Sequence, residues 1–434
     1  MKNYRNLIPV LLIALMLFST YSLFNGINSD KNKYNEYLKE AREYSKKGIV
    51  VDAVAAYGNA INIKKSLAVS IEIANMYKDN NMISEEIEWC ESIVDNYPEE
   101  AQAYEQLLNA YISSEQYDDC YELKESLKKY KVSSKNIDKI YSKIDYLYEL
   151  GYKGYDEVTI FSHGYCAVMI DGLWGYVDNK GNLVLNNAYL YAGSFCEEKA
   201  AIKDKKGNIY YIDAAGNKKG VIPAQINCTY AGIMSGDAIV LADGGKYGYY
   251  NSEYKHIFGE YDYASNLNSG VAAVKKNSLW YLIDSKGKQI NDIPYQDIIV
   301  DEKDIAYRQG RAFVRTDGKY ILVDGKGKQV GSESFDDAEV FASDSYAAVK
   351  QNGKWGFIDK SGKIVIEPQY EDARSFANGM AAVCKDNRWG YINNKNQVKI
   401  ECKFDACKDF NEQGCSFVKK EGLWITLKLY SKNY

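Results

Sequence analysis

Between residues 352 and 379 the chain reads "NGKWGFIDKSGKIVIEPQYEDARSFANG". Trp355, Gly356 and Asp359 stand in one short row, and the adjacent carboxylates Glu371 and Asp372 follow. Two acids side by side could divide into a general acid and a general base, and an exposed indole could stack on a sugar. The same outline returns as "DNRWGYINNKNQVKIECKFDACKDFNEQG", and it can be followed back almost to residue 155. Asp336 and Asp337 hold the place of Glu371 and Asp372 one copy earlier. An acid pair that recurs at the same unit position reads as a strand-end feature, not a catalytic one.

The rest of the chemical inventory is thin. His163 and His256 are the only two histidines, and each stands alone, so a His-based metal site or a Ser-His-Asp triad lacks material. The nine cysteines have neither paired spacing nor an even count. They read as buried small hydrophobes, and Cys402 with Cys407 is the one close pair, without companions for a metal. No Gly-x-Ser-x-Gly elbow, phosphate loop or His-Glu-x-x-His occurs. A net charge of -5 over 434 residues gives no basic footprint for nucleic acid. The sequence therefore predicts no enzyme, no cofactor and no metal.

The positioning elements are more legible. Aligned copies place Trp174, Ile209, Tyr247, Trp280, Tyr320, Trp355, Trp389 and Trp424 in register, spaced by 33 to 40 residues. Before each lies an alternating apolar run such as "YAAVKQN", and after most a strand ending in an aromatic-acidic pair. Asp178, Asp213, Asp284, Asp324 and Asp359 follow the key position by four residues, with Gly181, Gly216, Gly287, Gly327 and Gly362 three further on. This is turn chemistry: the Asp binds its own backbone and the Gly supplies a positive φ. Gly175, Gly248, Gly356 and Gly390 sit inside strands, where a missing side chain marks close approach by a neighbour.

Trp-Gly, aromatic-aliphatic-Asp, the Lys-rich Gly turn and the "GMAAV" restart together resemble the bacterial WG-repeat family, with eight copies between about 155 and 428. The expected structural anchors are Trp174, Gly175, Tyr247, Gly248, Trp280, Tyr320, Trp355, Gly356, Trp389, Gly390 and Trp424. Ile209-Tyr210 and Tyr320-Ile321 depart from the Trp-Gly hallmark, so other bulky residues replace it. The resemblance implies a repeat domain of envelope proteins without an assigned activity. The array starts on "GYDEVTIFSHG", which has the character of a last strand, and ends on first strands alone. These complementary halves suit a closed propeller, with an open β-solenoid as the alternative.

Residues 34–150 have helical periodicity. Ala41 and Tyr44 are echoed by Ala74 and Tyr77, and Pro98 closes a second pair. The pattern resembles the tetratricopeptide repeat. A stripe of Ile137, Ile140, Tyr141, Ile144, Leu147 and Tyr148 predicts a capping helix. Residues 1–6 form a short tail and 25–33 a linker. The apolar run "LIPVLLIALMLFSTYSLF", 7–24, follows Lys2 and Arg5; its length suits a transmembrane signal anchor, in preference to a cleaved signal peptide.

The sequence thus predicts a multi-domain repeat protein: a membrane helix, a tetratricopeptide-like solenoid over 34–150 and an all-β array over 151–434. The expected function is a non-catalytic scaffold anchored in the cell membrane, with most of the chain outside the cytoplasm. Its expected partner is a protein or peptide. A cell-wall glycan is the alternative, favoured if the key rings line open grooves and disfavoured if they are buried.

Overall fold

The computed structural model describes residues 29–233 and 238–430. The apolar run at 7–24, read as a membrane anchor, lies outside the described residues. Among those described, no helix is long and apolar enough to cross a membrane. The chain divides between Asp145 and Tyr146 into a helical unit and a β unit, five residues before the expected boundary.

The helical unit holds α1 (29–46), α2 (Val50–Ile63), α3 (Leu67–Asp79), α4 (Ile83–Asn96), α5 (Ala101–Ser113), α6 (Tyr117–Tyr130) and α7 (Lys135–Ile144). Three of its turns are built alike. The N–H of Ile49 bonds the carbonyl of Tyr44, that of Met82 bonds Tyr77, and that of Gln116 bonds Tyr111. The residue before each donor, Gly48, Asn81 or Glu115, has positive φ. This is the Schellman closure of a helix end, and it makes three helix pairs of one design. Ala41, Ala53, Ala60 and Ala103 are wholly buried, which lets the backbones approach closely. The hydroxyl of Ser134 caps α7 by accepting the Ile137 N–H at 3.1 Å.

The predicted stripe of α7 holds at Ile137, Ile140, Tyr141 and Ile144, all buried, but not beyond. Leu147 lies past the helix, and Tyr148 opens the strand Tyr148–Leu150. Helical spacing runs on in the sequence, yet a ladder to the far end of the chain replaces it. Tertiary pairing overrides local propensity here.

That ladder closes the β unit. Eight small sheets follow one another, each built from a short inner strand and a hairpin, and six of them also from an outer strand. In the sixth these are Asp337–Ala338, Tyr346–Gln351, Lys354–Asp359 and Ile364–Tyr370. The fourth and fifth sheets keep three strands, and isolated bridges such as Trp280 to Tyr295 and Tyr320 to Phe335 hold their outer edges. The eighth takes its outer strand from the start of the unit: Tyr148 pairs with Leu429 and Leu150 with Leu427. Tyr155 and Trp424 then exchange backbone hydrogen bonds of 2.8 Å each. Glu157–Val158 passes on to become the inner strand of the first sheet. The array is therefore a closed eight-bladed β-propeller and not an open solenoid.

Candidate functional site

Each predicted anchor has a definite place. Trp280, Tyr320 and Trp355 are buried, while Trp174, Tyr247, Trp389 and Trp424 are half-buried. Four rings lie across from the last residue of an outer strand, as Trp355 does from Tyr370 and Trp389 from Phe404, and Trp280, Tyr320 and Trp424 face isolated bridge residues. A cross-strand lysine covers several of them: Lys275 stands 5.5 Å above Trp280, Lys350 6.0 Å above Trp355 and Lys419 5.8 Å above Trp424, each a cation–π contact. The glycine that follows has a simple cause. A Cβ on Gly356 would come within 2.5 Å of the Ile366 carbonyl oxygen, one on Gly390 within 2.4 Å of that of Ile400, and one on Gly175 within 2.4 Å of that of Leu185. The outer strand bulges over this point, and backbone meets backbone. At Gly248 the approach is looser, 3.0 Å from Gly259 and from the His256 ring.

In five blades a deeply buried aromatic stands two places beyond the key residue. Tyr176, Tyr211, Tyr249, Phe357 and Tyr391 are almost completely enclosed. The tyrosines reach into the next blade, where the Tyr176 hydroxyl donates to the Gly193 carbonyl, Tyr211 to Gly232, Tyr249 to Ser265 and Tyr391 to Lys408, at 2.7 to 2.8 Å. Burial pushes these phenols well above their usual pKa, so they act as fixed donors. This bond explains part of the excess of 40 Tyr over 13 Phe.

The repeated carboxylates form the turns read from the sequence. Asp359 accepts the N–H groups of Ser361 and Lys363 at 2.8 and 3.1 Å, and Gly362 has φ +82°. The same pair of bonds recurs at Asp178, Asp213, Asp284 and Asp324. Seven of the nine cysteines are buried, Cys228 and Cys402 are half-buried, and none forms a disulfide. Burial raises the Cys166 thiol to about 12. His256 holds the Gly259 carbonyl at 2.8 Å through Nε2. Among the described residues no group of three His, Cys, Asp or Glu side chains could hold a metal.

The feature most suited to binding is in the middle of the ring. Residues from all eight blades line one cavity of about 1100 Å³. One connection shapes it. Between Asp297–Ile298 and Ala312–Thr316 the fifth blade inserts thirteen residues, 299–311, where the first and seventh blades use six. This loop spans the centre as a strut. Glu302 takes the Lys408 ammonium at 2.8 Å on both oxygens and Arg374 at 3.0 Å. Lys303 donates to the Phe161 carbonyl at 2.8 Å. Asp304 accepts the hydroxyls of Tyr230 at 2.6 Å and Tyr263 at 2.7 Å. Blades one, three, four, seven and eight are thus tied to a segment of the fifth. Arg374 also binds Asp409 at 2.7 Å, and Asp409, Glu339 and Glu302 together hold its guanidinium well above its usual pKa despite burial. Lys303 is shifted down, by burial first and by Arg308 second.

Aligning the repeats on one key residue hides the strut. Its only signal is the 40-residue step from Trp280 to Tyr320, the longest in the array.

A closed ring of small antiparallel sheets defines the β-propeller class. Within it, six stretches of this chain, 153–174, 174–208, 247–280, 322–355, 355–389 and 389–424, match the family model described as "WG containing repeat". Ile209-Tyr210 and Tyr320-Ile321, two of the five departures from Trp-Gly, lie in the gaps between matches and nonetheless build blades. No curated protein matches the sequence. Among solved structures, BamB from Moraxella catarrhalis is similar at 10% identity and a TM-score of 0.42, over 65% of this chain and 99% of that one. Hsv2p from Kluyveromyces lactis is similar at 8% identity and 0.36, over 56% and 94%. Virginiamycin B lyase from Staphylococcus aureus is similar at 12% identity and 0.33, over 65% and 100%. At these levels nothing about ligand or activity passes from them to this chain.

Proposed function

We propose that this chain is a non-catalytic scaffold whose propeller receives a protein partner at the loop face around the central cavity. The helix pairs, read as a tetratricopeptide-like solenoid, offer a second surface. The apolar run at 7–24 tethers both at the membrane, with the repeats outside the cytoplasm. The observation that carries this reading is the placement of the key rings. All seven aromatic key residues are buried or half-buried, so they do not form the open stacking platforms a glycan needs, while polar loops from eight blades converge on one cavity.

The test is retention of the purified full chain, immobilised, on two inputs: envelope protein extract and isolated cell-wall glycan. Saturable capture of a defined protein and no retention of glycan is the expected result. Glycan retention abolished by free sugar, with no protein captured, overturns the reading.

A further inference from the structure

We infer that the central cavity seats a cationic side chain, lysine or arginine, carried on an extended segment of the partner. This rests on the scaffold reading and names the chemistry of what it binds. Seven carboxylates and three cations line the cavity. The cations are already engaged. Arg308 is held by Asp301 at 2.7 Å, Arg374 is shared between Asp409 and Glu302, and Lys303 is spent on the Phe161 carbonyl.

Three carboxylates have no cation in contact. Asp337 accepts only the N–H of its neighbour Ala338. Glu412 makes no hydrogen bond to the described residues. Glu339 accepts the Ser375 N–H at 3.0 Å through Oε2 and lines the cavity. The residue is half-buried; burial raises its pKa and the nearby Arg374 guanidinium opposes that shift. Arg374 acts on Glu339 through space, yet neither Glu339 nor Asp337 nor Glu412 is in an ion pair among the described residues, so a ligand's cation meets acceptors there.

Size and walls select the kind of cation. The cavity, at about 1100 Å³, is far larger than a single ion requires, and among the described residues no three metal-ligating groups converge. Phe161, Phe341 and Phe410 also line it, and such rings suit the methylene stem of a lysine or arginine whose charged head lies among carboxylates. An extended chain delivers that side chain and adds backbone polar groups for the loops to bind.

The experiment uses the full-length protein and fluorescent hexa-lysine and hexa-glutamate peptides, read by anisotropy. Hexa-lysine should bind, and Glu339→Gln and Asp337→Asn should each weaken it by about tenfold, the loss of one charged hydrogen bond, without lowering the melting temperature. Hexa-glutamate should not bind. Equal hexa-lysine affinity in wild type and both variants would place the peptide elsewhere and overturn the inference, as would tighter binding of hexa-glutamate. Displacement by spermidine at lower concentration than by the peptide itself would also overturn it, in favour of a small-polyamine site. A partner captured by the full chain but indifferent to both substitutions would sink this inference and leave the scaffold reading standing.

Discussion

Gly356 occupies a point where one methyl group would meet the backbone of Ile366, Glu367 and Pro368 between 2.5 and 2.9 Å. Backbone cannot swing aside as a side chain can, so Gly356→Ala should cost about 2 to 4 kcal/mol, in the range of overpacked core sites. Trp355→Ala should cost about 3 to 5 kcal/mol, because the ring is buried in a cluster with Phe357, Tyr370 and Phe376. Thermal melts of the two variants check both values; an unmoved melting temperature for Trp355→Ala would show that the ring carries no packing. Glu339 gives a pH test of different sign from an ordinary acid. Burial pushes its carboxyl up to about 7, with Arg374 opposing and Asp409 adding to the shift. The folded state then holds the proton more tightly than the unfolded one, so this contribution is present below the ordinary carboxylate range and is lost as pH rises through about 7. Glu339→Gln removes that loss. From about pH 5 to about pH 8 the variant should gain on wild type by roughly 1 to 3 kcal/mol, read as a growing difference in melting temperature.

At the scale of elements, the strut and the closing strand carry most of the architecture. Glu302→Gln leaves Arg374 and Lys408, both mostly buried, without that carboxylate, and should destabilise the ring by about 1 to 3 kcal/mol in low salt. Guanidinium-free urea melts measure it. The closing strand is probed by Gly151→Pro, which deletes the N–H bonded to the Thr426 carbonyl at 2.8 Å. Faster hydrogen exchange should appear at 423–429, near the opposite end of the sequence, with residues 165–178 still protected. How much of this is readable from sequence follows from its range. The Asp359 turn is local, since donor and acceptor lie within four residues, so spacing alone reveals it. Gly356 is legible as a close approach, but its neighbour is not. Tyr148 misleads, because its helical spacing is a local signal and its true partner, Leu429, is remote. The strut is nearly invisible, since its meaning lies in contacts to Phe161, Arg374 and Lys408 that only ring closure creates.

At the scale of the whole propeller, the blades solve a problem of edges. An array of small sheets would expose an unpaired strand at each end; pairing Tyr148–Leu150 with the last hairpin removes both. Closure also brings loops of every blade to one place, so a surface absent from any single repeat arises from the assembly. The repeats are therefore conserved in form around a centre that is irregular, and the irregularity is where the charges of Glu302, Lys303 and Glu339 sit. If the centre is the working surface, a partner should meet it and not the outer strands. A photo-crosslinking residue placed at Glu412, on the cavity lining, or at Val365, on an exposed outer strand, decides this in the full-length protein expressed in its own cells. A discrete crosslinked protein adduct from position 412, absent from position 365 and suppressed by Glu339→Gln, is the predicted result. The same adduct from position 365, with none from 412, would contradict it.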